Sequence, residues 1–127
     1  MFHAFQAVQE AGVLILLAEC SDGITGKGKT ADLKFLDYFN LSLEQMDTRF
    51  RQKFDLNCNT AYSIAEKASK GKVILLSSLS PETVIKTGMY PAFDLQDVLK
   101  KAFELGGKKI PETYILENAS TLLSVLG

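Results

Sequence analysis

The chain has 127 residues, of which 46% are hydrophobic and 23% are charged, which is typical of a soluble globular protein. Its 14 basic and 15 acidic residues give a formal net charge of -1 and form no basic patch, so nucleic-acid binding is not expected. No apolar run approaches the ~18 residues of a membrane-spanning helix, and residues 1–10 lack a signal-peptide pattern, so we expect a cytoplasmic protein without a membrane partner.

The first elements predicted are a helix and a buried strand. Apolar spacing predicts a helix over His3–Glu10, which Gly12 ends. The continuous apolar run Val13–Ala18 predicts a strand that is buried on both faces, as in the middle of a parallel sheet. A loop with three glycines follows this strand.

Helices then alternate with short apolar strands, and capping residues mark where the helices start. Predicted helix starts are Thr30 or Asp32, Ser42 with Gln45, Asn59 or Thr60, Ser80 with Pro81, and Asp94. Predicted strands after the first are Val73–Ser77, Glu112–Leu116 and Thr121–Val125, while Tyr90 and Pro91 are expected in a loop between helices.

This alternation predicts an α/β fold. We expect a three-layer, Rossmann-like domain with a mostly parallel sheet of about four strands flanked by helices, formed by residues 1–127 as one domain. In such sheets, ligands bind beyond the carboxyl ends of the strands. Three loops meet this condition, namely Glu19–Thr30, Ser77–Glu82 and Glu117–Thr121.

The glycine-rich loop Gly23–Gly28 is open to two interpretations. Its backbone amides and Lys27 could hold a phosphate or carboxylate. However, it matches neither G-x-G-x-x-G nor G-x-x-x-x-G-K-[ST], and a connecting loop without a ligand is the simpler alternative. Asp22 beside it is either a candidate functional acid or a turn-forming residue.

Residues with typical catalytic or metal-binding chemistry are scarce. His3 is the single histidine and has no carboxylate or cysteine at ligand spacing, so we expect neither a metal site nor a base–acid pair. Cys20 and Cys58 are too few for a disulfide scaffold, and both are expected to be free thiols. Such a chain is not expected to be a complete enzyme alone.

The order of these pieces resembles one known family. Phe5-Gln6-Ala7-Val8-Gln9, followed by Gly12, an apolar strand and the turn Ala18-Glu19-Cys20-Ser21-Asp22-Gly23, resembles the start of the C-terminal domain of the nickel-pincer lactate racemases. There, an aromatic-Gln-x-x-Lys helix precedes an Ala-Glu-Cys-x-Asp-Gly type of turn. Residues 54–61, 73–84 and 94–99 continue the resemblance in the same order.

The resemblance implies a role within a larger enzyme. Full-length members are cytoplasmic two-domain enzymes that racemise lactate or related 2-hydroxy acids with a nickel complex of a modified pyridine nucleotide. Their N-terminal domain holds this cofactor and the acid/base histidines, and the C-terminal domain closes the cleft. For this chain, the resemblance implies no catalytic residue and no cofactor or metal bound by the chain alone. It implies as partners an N-terminal catalytic domain, in the same or a separate chain, and a small 2-hydroxy acid.

Six residues are the predicted substrate contacts. They are Phe5, Gln6, Gln9, Asp22, Gly23 and Tyr90. Two of them depart from the family pattern, because Gln9 stands where the family has lysine and Phe5 where tyrosine is common. Glutamine donates hydrogen bonds but lacks the charge that would hold a substrate carboxylate.

Two other functions remain open. The chain could be a stand-alone α/β module that binds an anionic metabolite or nucleotide at Gly23–Gly28. It could also be a purely structural partner domain, which predicts a large exposed apolar patch.

Overall fold

The computed structural model describes residues 2–107 and 112–117, with side chains from Ala4 onward. Within these residues, three strands form one sheet: β1 (Val13–Leu17), β2 (Lys72–Leu76) and β3 (Tyr90–Ala92). Their order is β1-β2-β3 and both pairs are parallel. The α/β class and the parallel sheet are confirmed, and the described residues form three strands where about four were expected.

Six α-helices and a 3-10 turn surround the sheet in the described residues. They are α1 (Phe2–Phe5), α2 (Lys29–Asp37), the 3-10 turn (Tyr38–Asn40), α3 (Leu43–Gln52), α4 (Leu56–Lys70), α5 (Pro81–Lys86) and α6 (Leu95–Gly106). No helix in the described part of the chain is long and apolar enough to cross a membrane.

Several helix starts follow the predicted capping residues. Ser42 and Gln45 form a reciprocal capping box at α3, and the side chains of Ser80 and Asp94 cap α5 and α6. Two starts were placed wrongly. α4 is capped by Asp55, and α2 begins directly after Gly28 without a side-chain cap.

The sheet is covered by helices on both faces because side chains alternate along each strand. Val73 and Leu75 of β2 point to one face, where they pack with Val84 of α5 and with residues of α1 and α4. Ile74 points to the other face and packs with Val98 of α6.

A second apolar cluster joins the helices between β1 and β2 to one another. Phe35, Tyr38, Met46, Cys58 and Ala61 are all buried there. These residues lie on α2, the 3-10 turn, α3 and α4. Together these elements form a small helical layer beside the sheet. The long segment between the first two strands is therefore held by its own core.

Three strand predictions are corrected. Among the described strands β1 is the first in the order, paired on one side only, and its last residue, Leu17, is 65% exposed, so it is not buried on both faces along its whole length. Tyr90 and Pro91 belong to β3, the other edge, where a proline costs no ladder hydrogen bond. Glu112–Leu116 is exposed and forms no strand, and the strand predicted at Thr121–Val125 lies outside the described residues.

The first helix is shorter than its pattern predicted. α1 ends at Phe5, and the chain continues in turns, with Ala7 N donating to Ala4 O and Val8 N to Phe5 O. Ala11 then adopts a left-handed φ of 64° before the strand begins. These turns bring Gln9 close to the start of β1, because Gly12 N donates to Gln9 O at 2.8 Å.

Candidate functional site

The loop after β1 is held by a carboxylate of its own chain. Asp32, in the first turn of α2, accepts hydrogen bonds from Thr25 N at 2.9 Å and Thr25 Oγ1 at 2.5 Å. The hydroxyl of Thr25, its backbone amide and the amide of Ile24 together lower the pKa of Asp32. The carboxylate is therefore kept ionised where a bound anion would otherwise accept the same hydrogen bonds.

Other amides of this loop also have partners within it. Gly23 N donates to Cys20 O, and Lys27 N donates to Thr25 Oγ1. The backbone amides of Gly23, Ile24, Thr25 and Lys27 could have bound a phosphate. They already have hydrogen-bond partners within the loop or at Asp32. This arrangement does not favour an anion site at Gly23–Gly28.

Gly23 is required at its position by both backbone and space. Its φ is +87°, which side chains rarely adopt, and a Cβ there would lie 2.0 Å from Asp32 Oδ2. Gly23 therefore lets the chain pass close to the Asp32 carboxylate. The neighbouring Asp22 side chain is exposed. Both residues follow the carboxyl end of β1.

Phe5 and Gln9 lie at the opposite end of the sheet. They line a cavity of about 190 Å³ at the amino ends of β1 and β2, together with Val8, Gly12, Lys70 and Lys72. Phe5 packs directly against Gly71, where an added Cβ would come within 2.8 Å of Phe5 Cζ. The Nζ of Lys67 lies 5.7 Å from the Phe5 ring centroid. Gln6, which follows Phe5, is exposed.

Three charged side chains line this cavity, namely Glu10, Lys70 and Lys72. Lys70 Nζ is paired with Glu66 at 2.6 Å, and Lys72 Nζ donates to the carbonyl oxygen of Leu105. Neither lysine was singled out in the sequence, because both are far from Gln9 along the chain. Lys70 ends α4 and Lys72 begins β2. Pairing the predicted strand at Val73 in parallel with the strand at Val13 would have placed both lysines near Gln9.

The predicted site residues therefore fall into three places. Phe5 and Gln9 share the cavity, and Asp22 and Gly23 follow the other end of β1, about 13 Å of strand away. Tyr90, paired in register with Ile74, is 41% exposed on the edge strand β3. The structure does not bring these three groups together, and their role as substrate contacts stays a prediction.

A second cavity, of about 250 Å³, lies between the helical layer and α5. It is lined mainly by apolar groups, among them Phe39, Leu41 and Met46, with Lys86 at its border. None of the predicted site residues lines it, and it offers no pair of groups suited to acid–base chemistry.

The described residues contain no cluster of three or more His, Cys, Asp or Glu that could hold a metal ion. Both cysteines are free thiols, as expected, and burial raises the pKa of each of them. Thiols with raised pKa values are poor nucleophiles at neutral pH. His3 lies where side chains are not described.

A buried tyrosine is the most perturbed titratable group. Burial, followed by its hydrogen bond to Asp55, raises the pKa of Tyr38 to about 12. Arg49 lies over the Tyr38 ring at 4.8 Å, and Asp55 also caps α4 through Asn57 N. This cluster links the 3-10 turn, α3 and α4, and its contacts explain it as a structural joint of the helical layer.

The fold and the cavity define a small parallel α/β domain with a candidate binding site at the amino end of its sheet. The family model of the lactate racemase C-terminal domain matches residues 1–123, so the chain belongs to that family. No curated protein and no solved structure matches the chain.

Proposed function

We propose that this chain is the cleft-closing C-terminal domain of an enzyme that racemises or epimerises a small 2-hydroxy acid. In this proposal it contributes substrate contacts, and an N-terminal domain contributes catalysis. Membership of the lactate racemase C-terminal domain family supports this role. The observation that carries it is the cavity lined by Phe5 and Gln9, two of the three positions, Phe5, Gln6 and Gln9, that the family resemblance marks for substrate contact.

The chemistry of this cavity suits a small hydroxy acid. Its volume of about 190 Å³ has room for a molecule as small as lactate. Gln9 can donate to a carboxylate or accept from a hydroxyl. Phe5 provides an apolar wall, and the charged side chains of the lining are Lys70, Lys72 and Glu10, of which Lys70 is paired with Glu66 and Lys72 donates to the Leu105 carbonyl. Gln9 and Phe5 bind and orient a substrate, and neither of them is suited to move a proton from carbon.

The family resemblance assigns the cofactor of the full-length enzymes to the N-terminal domain. A nickel ion needs several side-chain ligands, and the described residues provide no such cluster. In this proposal, the nickel-pincer nucleotide and the acid/base histidines belong to the N-terminal domain, as the resemblance implies. We propose a cytoplasmic location for the complete enzyme.

Reconstitution tests this function. The chain is mixed with an N-terminal domain that carries the cofactor, and racemisation of lactate and other 2-hydroxy acids is followed. We expect turnover only when both parts are present. Gln9→Ala should lower kcat/KM about fivefold to tenfold, the effect of one lost hydrogen bond. Gln9→Lys should improve binding of the acid, because it adds a charge-assisted contact.

Gln52→Ala is the matched control, since Gln52 is an exposed glutamine at the end of α3, away from the cavity. Equal activities of the Gln9→Ala and Gln52→Ala variants would contradict the proposed contact. Full turnover by the N-terminal domain alone would contradict the role of the whole chain.

A metabolite-binding module at Gly23–Gly28 is the alternative, and the engaged amides of that loop speak against it. Amide chemical shifts of the labelled chain distinguish the two sites during titration with lactate or a nucleotide. Changes at Gln9, Gly12 and Gly71 support the proposed cavity. Changes confined to Gly23, Gly26 and Gly28 support the alternative.

A further inference from the structure

The cavity between the helical layer and α5 has a buried floor and an exposed rim. Its volume is about 250 Å³. Met46 and Thr87 in its lining are each 1% exposed, whereas Ser69, Lys86 and Gly88 are exposed and mark its mouth. The cavity therefore opens to solvent on one side and ends at buried side chains.

Small residues leave this space unfilled. Ala65 and Ala68 of α4 are three positions apart, so both lie on the same side of the helix. Gly88, which follows α5, has a φ of +82°, and a Cβ there would lie 3.0 Å from the Cβ of Ala68. Gly88 therefore lets the end of α5 approach α4, and the short residues at these three positions leave the cavity open.

The rest of the apolar lining comes from larger side chains. Phe39 belongs to the 3-10 turn, Leu41 follows it, and Met46 lies in α3. Met46 is part of the core of the helical layer, and Phe39 and Leu41 pack against that core. Since this core already holds them in place, they present a preformed apolar surface to a hydrocarbon chain.

The two hydroxyl groups of the lining have already used their protons. Thr87 Oγ1 donates to Val84 O at 2.6 Å, and Ser69 Oγ donates to Glu66 O at 2.8 Å. A hydroxyl has a single proton, so toward the cavity both oxygens act only as acceptors. They cannot donate to a phosphate or to a second carboxylate, which limits the anionic ligands to those with one small charged group.

One cation stands at the mouth of the cavity. Lys86 is the charged side chain of the lining, and the ion pairs within the described part of the chain all involve other basic residues. Glu82, one turn earlier on α5, is therefore not its partner. The four-carbon stem of a lysine can lie along an apolar wall while the ammonium group stays in water. An unpaired positive charge beside an apolar cavity is complementary to a ligand with a single carboxylate.

We propose that this cavity is a binding site for a small apolar monocarboxylic acid. The hydrocarbon part lies against Phe39, Leu41 and Met46, and the carboxylate pairs with Lys86 at the mouth. Pockets for drug-sized ligands have volumes of ~300–1,000 Å³, so a cavity of about 250 Å³ takes a smaller molecule. A sugar or a nucleotide carries more polar groups than this lining can satisfy.

This site is separate from the cavity that the proposed function uses. Phe5 and Gln9 line the other cavity, and neither of them lines this one. The proposal is therefore independent of the proposed function. It assigns binding alone to this site, because the lining offers no pair of groups suited to acid–base chemistry.

Titration of the full, isotope-labelled chain with hexanoate, butyrate and hexanol tests the site by NMR. With hexanoate, we expect saturable shifts of the Met46 methyl group and of the Thr87 and Gly88 amides. The affinity should rise about fourfold for each methylene group from butyrate to hexanoate, because each one is buried against the apolar lining. Hexanol fills the same space without the charge, so it should bind about threefold more weakly than hexanoate.

Two variants separate the charge from the cavity. Lys86→Gln should weaken hexanoate binding about threefold and leave hexanol binding unchanged, because it removes only the ion pair. Lys100→Gln is the matched control, since Lys100 is an exposed lysine of α6, which packs on the other face of the sheet. Ala65→Leu places a larger side chain in the cavity and should abolish binding of both ligands. Because Lys86 is exposed, its variant does not depend on repacking of the core.

Four results would overturn the proposal. The first is the absence of shifts at Met46 and Gly88 with hexanoate. The second is a set of hexanoate shifts confined to the cavity of Gln9. The third is a folded Ala65→Leu variant that binds hexanoate as the unsubstituted chain does. The fourth is an equal affinity of the Lys86→Gln variant and the unsubstituted chain for hexanoate, which would contradict the ion pair.

Discussion

Replacing Gly23 by alanine tests the central claim about the glycine-rich loop, that Asp32 holds it from within. Alanine at a φ of +87° costs about 1 kcal/mol. Its Cβ would also meet Asp32 Oδ2 at 2.0 Å, which forces the carboxylate to move away from Thr25. Two hydrogen bonds at this partly exposed site contribute about 1 kcal/mol each at most. We therefore expect Gly23→Ala to destabilise the chain by about 2–3 kcal/mol.

Gly26 provides the control for the backbone contribution. Its φ is +65°, but an added Cβ there meets nothing within 4 Å. Gly26→Ala should therefore cost only about 1 kcal/mol. In thermal unfolding, we expect Tm to fall by about 10 °C for Gly23→Ala and by about 4 °C for Gly26→Ala.

A third variant isolates the clash. When Asp32 is first replaced by alanine, the carboxylate is absent, and the added cost of Gly23→Ala should drop to that of Gly26→Ala. Urea titration at neutral pH would measure each free energy of unfolding. Equal losses for Gly23→Ala and Gly26→Ala in the unsubstituted chain would refute the contact between Asp32 and the loop.

Two further predictions follow from the buried titratable groups. The pKa of Tyr38 is raised to about 12 by burial and by Asp55, so its stabilising effect should be complete below pH 10 and be lost as the pH rises through 12; absorbance titration should show a late phenolate phase that Tyr38→Phe removes, and an unchanged titration would contradict this. Burial raises the pKa of both thiols, so a disulfide reagent at neutral pH should modify Cys20 slowly and the fully buried Cys58 only after unfolding; fast modification of both would show that the helical layer opens.

Much of the fold could be predicted because its signals are local. The side chain of Ser42 and that of Gln45 cap α3 as their spacing predicts, and Gly71 precedes β2 as expected. The strand β3 could not be found in the same way. It has only three residues, Tyr90–Ala92, and its Pro91 argues against a strand until its edge position is known.

The position of β1 shows a different limit of sequence reasoning. An aliphatic run of five residues predicts a strand, but it does not say how many neighbours the strand has. Val13–Ala18 was expected in the middle of the sheet because a continuous apolar run is typical of a strand that is buried on both faces. Glu112–Leu116, also predicted as a strand, is exposed, and among the described strands β1 is paired on one side only.

The candidate site was only partly accessible to sequence reasoning. The resemblance marked Phe5 and Gln9, and the structure adds Lys70 and Lys72 to the same cavity. The lysines lie near Gln9 because β1 pairs in parallel with β2. Such pairing joins distant parts of the chain and cannot be read from the sequence around either residue. Likewise, Asp32 was predicted as a possible helix cap, whereas its carboxylate accepts hydrogen bonds from the preceding loop.

The separation of the predicted contacts bears on how the two domains would meet. Gln9 precedes β1 and Asp22 follows it, so about 13 Å of strand lies between them. A six-atom hydroxy acid is much shorter than this and would contact only one of the two. Several amides of the loop that contains Gly23 are hydrogen-bonded within the loop or to Asp32, whereas Gln9 lines an open cavity. In the proposed function, the catalytic domain would therefore close over the amino ends of β1 and β2, where Gln9 lies.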